Sequence, residues 1–459
     1  MIQLFIKRSL VLAMFLSLFV ACSSEITPVQ AENSNTDTNA QTDAVADVVK
    51  LEDGRYLVEG DMVLTEEQLV SSKVLKKSNA QSALFPDNFY EWEDNPTVEY
   101  YFVPANASKG YVDMSDNARI QFERALKDLS NGVALSFKEV STPSRHTVYV
   151  YSFSGNIPGA SSSVTGRSCV GKQSLAQTAS LENYMKFSPK GLNYRTFVHE
   201  MLHVLGFLHE FQRLDRNQHL VINSSDLSNS NFDQYTGVTT EFDMASIMMY
   251  EGITPIEDLP IYDWIGYLPL RSGYDGSALK NRFNSETETK NLFYIQNYNA
   301  RFLCRTTTGS TGALSLKSSA SNLCLWDITT GTINLWQTSQ YSGIVFDQNY
   351  ATTIRSTEST RQGFGIFLGY QTSVGLSVQG GGIRYASKWI PTEAFYEGYV
   401  NLWNPSAAVC LASNATSVTV SSNGCSKAQM LSHLQYRTAT ANTNSLWRLI
   451  PAWNTNQPY

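Results

Sequence analysis

The sequence predicts an α+β unit followed by an all-β unit. Two helical patterns bracket alternating strand-like runs: one helix over about Ser115–Leu129, runs such as Thr147–Phe153, then a second helix around Phe197–Leu205. From about Leu292 the composition shifts to Ser, Thr, Asn and Gly, with short strand-like runs between turns. Within that last part Trp326, Trp389 and Trp447 recur about every sixty residues, a period that implies stacked or pseudo-symmetric repeats. At 459 residues the chain is too long for one core and suggests about three units. Charged residues are sparse and the net charge is only -7, so no nucleic-acid partner is expected.

The front of the chain reads as an export segment. Lys7 and Arg8 precede an apolar run from Leu10 to Val20, too short for a comfortable membrane span and laid out like a signal peptide over 1–21. The run ends Phe19-Val20-Ala21-Cys22, which resembles the lipobox of bacterial lipoproteins, although Phe19 replaces the usual leucine. That resemblance implies lipid on Cys22 and attachment to a bacterial outer membrane or cell surface before processing; plain secretion is the alternative. Residues 22–50 have no aromatic side chain and too little apolar surface to offset the entropy of ordering, so a flexible tether is expected.

In the α+β half, Thr97–Phe102 reads as the first strand, and Ser115 caps the first helix. Ala118, Phe122, Ala125 and Leu129 line one face of that helix, and Asn131-Gly132 ends it. The most specific segment is His199–Glu210, HEMLHVLGFLHE, which holds three of the six histidines. His199 and His203 are one helical turn apart and share a face, so both imidazoles reach one metal. Glu200 lies too far round to be a natural ligand and is placed to hold a water as general base. Gly206 takes a left-handed conformation at little cost, so the chain turns there and His209 approaches the same metal from another side. Three neutral nitrogens leave a fourth position open, as a catalytic zinc site requires. The competing interpretation is an ordinary amphipathic helix packed through Phe197, Val198, Leu202 and Leu205; Gly206 and His209 in register argue against it.

Ser246-Ile247-Met248-Met249-Tyr250 follows about forty residues downstream. An extended histidine motif followed by a methionine turn is the metzincin signature. Within that clan HEMLHVLGFLHEFQRLDRN with SIMMY resembles the astacin family of zinc metallo-endopeptidases. The resemblance implies a metzincin fold, one catalytic zinc, and protein or peptide substrates. It implies His199, His203 and His209 as ligands, Glu200 as base and Met248 beneath the metal. Tyr250 would bind zinc in the resting enzyme and stabilise the transition state, and Glu210 would meet the new N-terminus after activation. Ser272-Gly273-Tyr274-Asp275, with Leu279 and Phe283, resembles the closing segment of astacin domains, which sets this domain at 83–287. Such domains often carry two disulfides; here Cys169 stands alone and is expected as a buried free thiol.

Upstream, Val58-Glu59-Gly60-Asp61 resembles the F-x-G-D motif of astacin propeptides, with valine for phenylalanine. The resemblance implies an inhibitory propeptide over 51–82, in which Asp61 binds the zinc of the zymogen; Gly60 would let the backbone approach closely. A plain turn with Asp61 at its tip is the alternative. Activating cleavage is expected near Ser78 to Leu84.

Residues 288–459 form the β-rich part. Two close cysteine pairs, Cys304–Cys324 and Cys410–Cys425, would each staple one repeat in an oxidising compartment. The pattern resembles a ricin-B-type β-trefoil lectin domain, with departures. Cys324, Ser387 and Ser445 stand where the repeat-ending glutamine belongs, the middle repeat has no cysteine, and Cys410-Leu411-Ala412 lacks the sugar-binding aspartate. Glycan or substrate binding is the function it implies; a β-sandwich or a structural appendage remains open. A different function class, a surface adhesin that binds glycans and has a minor peptidase domain, is the alternative for the whole chain.

Overall fold

The computed structural model describes residues 48–58, 60–69, 92–173, 181–221, 234, 242–244, 246–250, 253–255, 273–285, 291–307, 311–330, 352–356, 365–371, 373, 375–381, 388–396, 398–405, 407–438 and 442–452. The signal-like segment, Cys22, nearly all of the tether and the expected cleavage region lie outside them. Among the described residues no helix is long and apolar enough to cross a membrane.

Nine strands build one mixed sheet: β1 (Val49–Lys50), β2 (Tyr56–Val58), β3 (Met62–Leu64), β4 (Thr97–Phe102), β5 (Tyr111–Val112), β6 (Ser136–Glu139), β7 (Val148–Phe153), β8 (Gly166–Cys169) and β9 (Asn183–Phe187). Their order is β1-β2-β3-β8-β9-β7-β4-β6, with β5 on β7. Strands β6, β4, β7 and β9 run parallel, and β8 is antiparallel to β9. Alternation explains β4: Val98, Tyr100 and Phe102 turn inward while the residues between them are more exposed.

Two helices cover that inward face. Helix α1 (Asp116–Ser130) starts where the Ser115 hydroxyl accepts from the Ala118 N–H, and its Ala118, Phe122, Ala125 and Leu129 are fully buried. Helix α2 (Tyr194–Val204) starts where the Asn193 side chain accepts from the Thr196 N–H at 3.0 Å. Phe197 of α2 meets Phe122 and Phe187 edge-on, with centroids 5.3 and 4.8 Å apart. A third helix, α3 (Gly273–Phe283), buries Leu279 and Phe283 in the same core. Between α2 and α3 the short strands β10 (Leu220–Val221) and β11 (Thr254–Pro255) pair.

The expected propeptide is built into this sheet. Strands β2 and β3 form a hairpin, and β3 runs parallel to β8 with Met62 opposite Ser168 and Val63 opposite Cys169. Leu57 and Val63 pack with Tyr151, Phe153 and Tyr184, while Met62 and Leu64 pack with Val170 and Leu208. Arg55 is buried and donates to Cys169 Sγ (3.1 Å), Gln173 Oε1 (3.0 Å) and the Glu182 carbonyl (2.7 Å). Cys169 is the buried free thiol expected, and burial raises its pKa.

The C-terminal sheet has thirteen strands: β12 (Leu292–Asn297), β13 (Phe302–Arg305), β14 (Thr311–Gly312), β15 (Leu314–Lys317), β16 (Leu325–Thr330), β17 (Thr352–Ser356), β18 (Gly365–Gln371), β19 (Gly375–Gly381), β20 (Lys388–Glu393), β21 (Val400–Asn404), β22 (Val409–Ser413), β23 (Val418–Ser421) and β24 (Trp447–Pro451). Apart from the two-residue β14, they fall into three runs of four: β12, β13, β15, β16; then β17 to β20; then β21 to β24. In each run the first strand pairs with the second and fourth, and the second with the third. The first strand of each run also pairs with the last of another, β12 with β24, β17 with β16 and β21 with β20.

This recurrence explains the tryptophan period. Trp326, Trp389 and Trp447 begin or nearly begin the fourth strand of each run. Their indole N–H groups donate to the carbonyls of Leu303 (2.8 Å), Leu368 (3.0 Å) and Leu411 (2.9 Å) on the second strands. Both expected disulfides, Cys304–Cys324 and Cys410–Cys425, are present.

The expectation of strands alone in 288–459 misses one helix, α4 (Lys427–Gln435). Ser426 and Gln429 form a reciprocal capping box, and Met430 and Leu434, one turn apart, bury their side chains. They pack into the core that holds α1 and α2, together with Ile390, Trp403 and the Cys410–Cys425 pair. The two segments therefore share apolar core. Polar ties cross the same junction: Gln121 Nε2 donates to the Gly398 carbonyl (2.9 Å), Lys127 Nζ to the Ala452 carbonyl (2.9 Å), and Arg448 Nη1 to Asn117 Oδ1 (2.6 Å).

Candidate metal centre and substrate cleft

Helix α2 delivers His199, Glu200 and His203, and all three are buried. The helix gives way after Val204, where Gly206 takes φ +100°, a conformation that side-chain-bearing residues rarely adopt. Reversal there brings His209 back: its Nε2 lies 3.2 Å from the Nε2 atoms of both His203 and His199. The Nδ1 atoms of His199 and His203 face the carbonyls of Ile247 (2.9 Å) and Phe207 (2.8 Å). A carbonyl accepts only, so each Nδ1 carries the proton and each Nε2 presents a lone pair.

Lone pairs that converge at such distances repel unless a cation lies among them. Asp61 adds a carboxylate to the same point, Oδ2 lying 3.5 Å from His199 Nε2 and 3.4 Å from His209 Nε2. One ligand atom from each of Asp61, His199, His203 and His209 falls within 4.8 Å of the others. Asp61 Oδ1 is buried with no hydrogen-bond partner. Three imidazoles and one carboxylate at this spacing fit a tetrahedral zinc ion. Burial raises the Asp61 pKa, but the facing histidines outweigh it and hold the carboxyl well below the usual range.

Glu200 is the buried carboxylate beside this cluster. It accepts from the Ser168 hydroxyl at 2.7 Å. Burial first, and then the Asp61 charge, push its pKa well above that of an ordinary glutamate, with Ser168 working the other way. Gly166 explains how Glu200 fits. A Cβ at that position would overlap the Glu200 carboxylate, so only glycine lets β8 come this close.

The turn Ser246–Tyr250 closes the site from the other side. Asp275 of α3 holds it, accepting from the Ser246 hydroxyl (2.6 Å) and the Ile247 N–H (3.0 Å). Met248 is buried in the core that contains Met201, Leu202 and Leu205, and its carbonyl accepts from the Glu210 N–H at 3.1 Å. The Tyr250 ring lies 4.4 Å from that of His209, and its hydroxyl donates to Asp61 Oδ2 at 2.6 Å. Glu210 is also engaged: Oε1 accepts from Arg213 Nη1 (2.7 Å) and from the Asp243 N–H (2.8 Å), while burial pushes its pKa up to about 7.

The structure thus brings together His199, Glu200, His203, His209, Tyr250 and Asp61. Met248, Glu210 and Gly206 support them from neighbouring positions. Sequence reasoning missed Ser168 and Gly166, which reach the site from β8, and did not assign Asp275 its part. It also missed the rest of the cleft lining: Ser163, Val164, Thr165, Arg195, Thr196 and Arg437. Arg437 comes from the C-terminal segment. No local motif marks these residues, because the sheet and the segment junction bring them there.

Residues 87–259 match the family model described as Astacin, a peptidase family. Zinc metalloproteinase nas-31 of Caenorhabditis elegans is 25% identical over 214 residues, 42% of this chain and 30% of that protein. Zinc metalloproteinase nas-11 of the same organism is 27% identical over 199 residues, 41% of this chain and 31% of that protein. The matches therefore span about a third of the length of these curated relatives. Among solved structures, high choriolytic enzyme 1, a hatching enzyme zinc-protease from Oryzias latipes, is similar at 21% identity. That likeness covers 45% of this chain and all of the other, with a TM-score of 0.33. Residues 87–259 of this chain thus match an astacin-family domain, and within that span lie His199, His203 and His209, the three histidines of a cluster that could hold a metal ion.

Proposed function

We propose that the protein is a zinc-dependent endopeptidase made in a latent form. The observation that carries this reading is the convergence of three imidazole nitrogens with a buried, hydrogen-bonded Glu200 beside them. Bound at this cluster, zinc would supply Lewis acidity, polarising a peptide carbonyl and making water a stronger acid. Glu200 takes the proton of the attacking water and passes it to the leaving amine as the C–N bond breaks and the C–O bond forms. Tyr250, once released from Asp61, donates to the oxyanion that develops on the carbonyl. Ser168 holds the Glu200 carboxylate in place.

Latency has two supports. Asp61 completes the metal ligand set and holds the Tyr250 hydroxyl. Strand β3 lies along β8, the strand whose Gly166 borders Glu200. Removal of 51–82 clears both, and Glu210 then exchanges partners with the new N-terminus. The C-terminal strands are read as a β-trefoil accessory domain, supported by the three four-stranded runs and their three equivalent tryptophan hydrogen bonds. Binding of glycan or substrate is its proposed use. Export, with a lipid anchor at Cys22 before processing, rests on the signal-like segment and its lipobox-like end.

The test compares full-length chain before and after trimming of 51–82 on a peptide library, with and without a zinc chelator. The untrimmed chain should be silent. The trimmed chain should cleave, lose activity to the chelator and regain it with zinc. Cleavage indifferent to chelator, or none by the trimmed chain, would overturn the reading. A glycan array run in parallel reports on the accessory domain.

A further inference from the structure

A second hollow opens where the catalytic and C-terminal segments meet. Its volume is about 680 Å³, within the roughly 300–1000 Å³ typical of small-ligand sites. None of its described lining belongs to 51–82 or to the residues assigned to the chemistry. It adjoins the zinc cleft, since Arg437 lines both.

The two segments bring different chemistry to it. The catalytic segment contributes the hydroxyls of Ser115, Ser152 and Ser154, with Asp113 and Asn193. The C-terminal segment contributes the rings of Phe395, Tyr396 and Tyr436. Tyr396 is 41% exposed and Tyr436 74%. Among the described residues five large apolar or aromatic side chains are exposed. Three of the five are these two tyrosines and Tyr298, whose hydroxyl lies 3.2 Å from that of Tyr396. Exposed rings gathered at one place mark a surface that a ligand covers.

Ser152 gives an independent sign. It is 2% exposed, yet its Oγ has no hydrogen-bond partner. A buried hydroxyl left unpaired is costly, and this one stands on the wall of the hollow, so its partner is to be sought outside the chain. Nearby, Asp113 accepts from the Ala105 N–H through Oδ1 at 2.9 Å, and its carboxylate has further capacity to accept. An apolar ligand would leave Ser152 unpaired, and a simple ion would have no use for the tyrosines. A sugar meets both demands. Its ring has a face of C–H groups that stacks on an aromatic ring, and hydroxyls at its rim that both donate and accept. Lining charges of both signs, Asp113 and Glu393 with Lys190 and Arg437, favour a ligand without net charge.

We propose that this hollow binds a short neutral sugar chain, stacked on Tyr396 and Tyr436 and hydrogen-bonded to Ser152 and Asp113. Because the hollow adjoins the zinc cleft, the sugar is one carried by a peptide substrate; that last step rests on the peptidase reading above.

The full-length chain is tested first as it is made, on a printed array of neutral oligosaccharides, and the tightest binder is then titrated by calorimetry. Ser152→Ala should weaken binding about 3- to 10-fold, the worth of one hydrogen bond. Tyr436→Ala should weaken it at least about 10-fold, as loss of an aromatic anchor does. Ser152→Ala should melt no lower than the native protein, because it removes an unpaired buried hydroxyl, which separates lost binding from lost fold. Binding to no sugar overturns the proposal. So does binding that both variants retain, which would put the sugar elsewhere on the C-terminal strands. Bare peptides whose binding the same variants weaken would make the hollow a peptide site and overturn it too. After removal of 51–82, a peptide bearing the bound sugar should be cut with kcat/KM about 10-fold above its bare twin, through a lower KM, and Tyr436→Ala should erase the gain. Equal rates for the twins overturn the substrate role. No cleavage of either overturns the peptidase reading instead, and leaves sugar binding by the untrimmed chain standing.

Discussion

The metal centre and the junction between the two segments are both buried and polar, yet they are encoded in opposite ways. The three histidines of the metal centre come from eleven consecutive residues, His199 to His209. The junction is assembled from partners far apart, such as Arg448 with Asn117, 331 residues away in sequence. Both are demanding, since unpaired buried polar groups are costly. Ligand geometry can be set by one helix and one reversal, so it can be written locally. A docking surface needs matched shapes from separate elements, so it has no local signature.

The largest effect should come from striking the local site. Glu200→Gln should lower kcat at least about 1000-fold, in the range for loss of a general base, while bound zinc, measured by elemental analysis, stays near one per chain. Retained activity would remove Glu200 from its role. The next test strikes the distributed site. Met430→Ala or Leu434→Ala should destabilise by about 2–5 kcal/mol through loss of buried side chain. Because these residues pack in the core of α1 and α2, calorimetry should show the catalytic and C-terminal segments unfolding together. Two separate transitions, with only the second shifted, would mean the shared core is not cooperative. Gly166→Ala lies between the two regimes: a single methyl on β8 pressed against Glu200 should cut kcat about 10- to 100-fold, as small misplacements of catalytic groups do, with zinc content unchanged.

The smallest expected effect is a pH dependence at the junction. Burial pushes the Glu393 carboxyl up to about 7, against the opposing pull of Arg124 and the Tyr194 N–H. Burial shifts Arg124 downward as well, with Tyr194, Glu393 and Asp128 opposing. Glu393 binds its proton more tightly folded than unfolded. Its contribution is therefore full below about pH 4.5 and is lost as pH rises through 7. Melting temperature should fall between about pH 4.5 and 7 and level off above, by the equivalent of about 1–3 kcal/mol on linkage grounds, and Glu393→Gln should flatten that fall. An unchanged slope in the variant would place the titration elsewhere.

Much of the metal centre was legible because its signals are short-range. The i, i+4 histidines, the turn-permitting Gly206 and the third histidine need only helix geometry. Helix α1 was equally legible from Ser115 and its apolar face. The C-terminal disulfides and tryptophan period followed from spacing. Helix α4 was not legible: it lies in a Ser- and Asn-rich stretch, and its two buried residues make sense only against α1. Ser168, Gly166 and Arg437 escaped for a related reason. Each reaches the site from another strand or segment, and only the sheet register or the junction brings it there.

The parallel pairing of β3 with β8 carries one more consequence. Were 51–82 removed, as proposed, β8 would keep β9 on one side and show a rim of unpaired N–H and C=O groups on the other. Such a rim recruits any extended chain, which suits a peptide substrate and equally suits a second copy of the protein. Under the proposed latency β3 would act as a built-in chaperone, keeping an adhesive border covered until 51–82 is removed and peptides can occupy it.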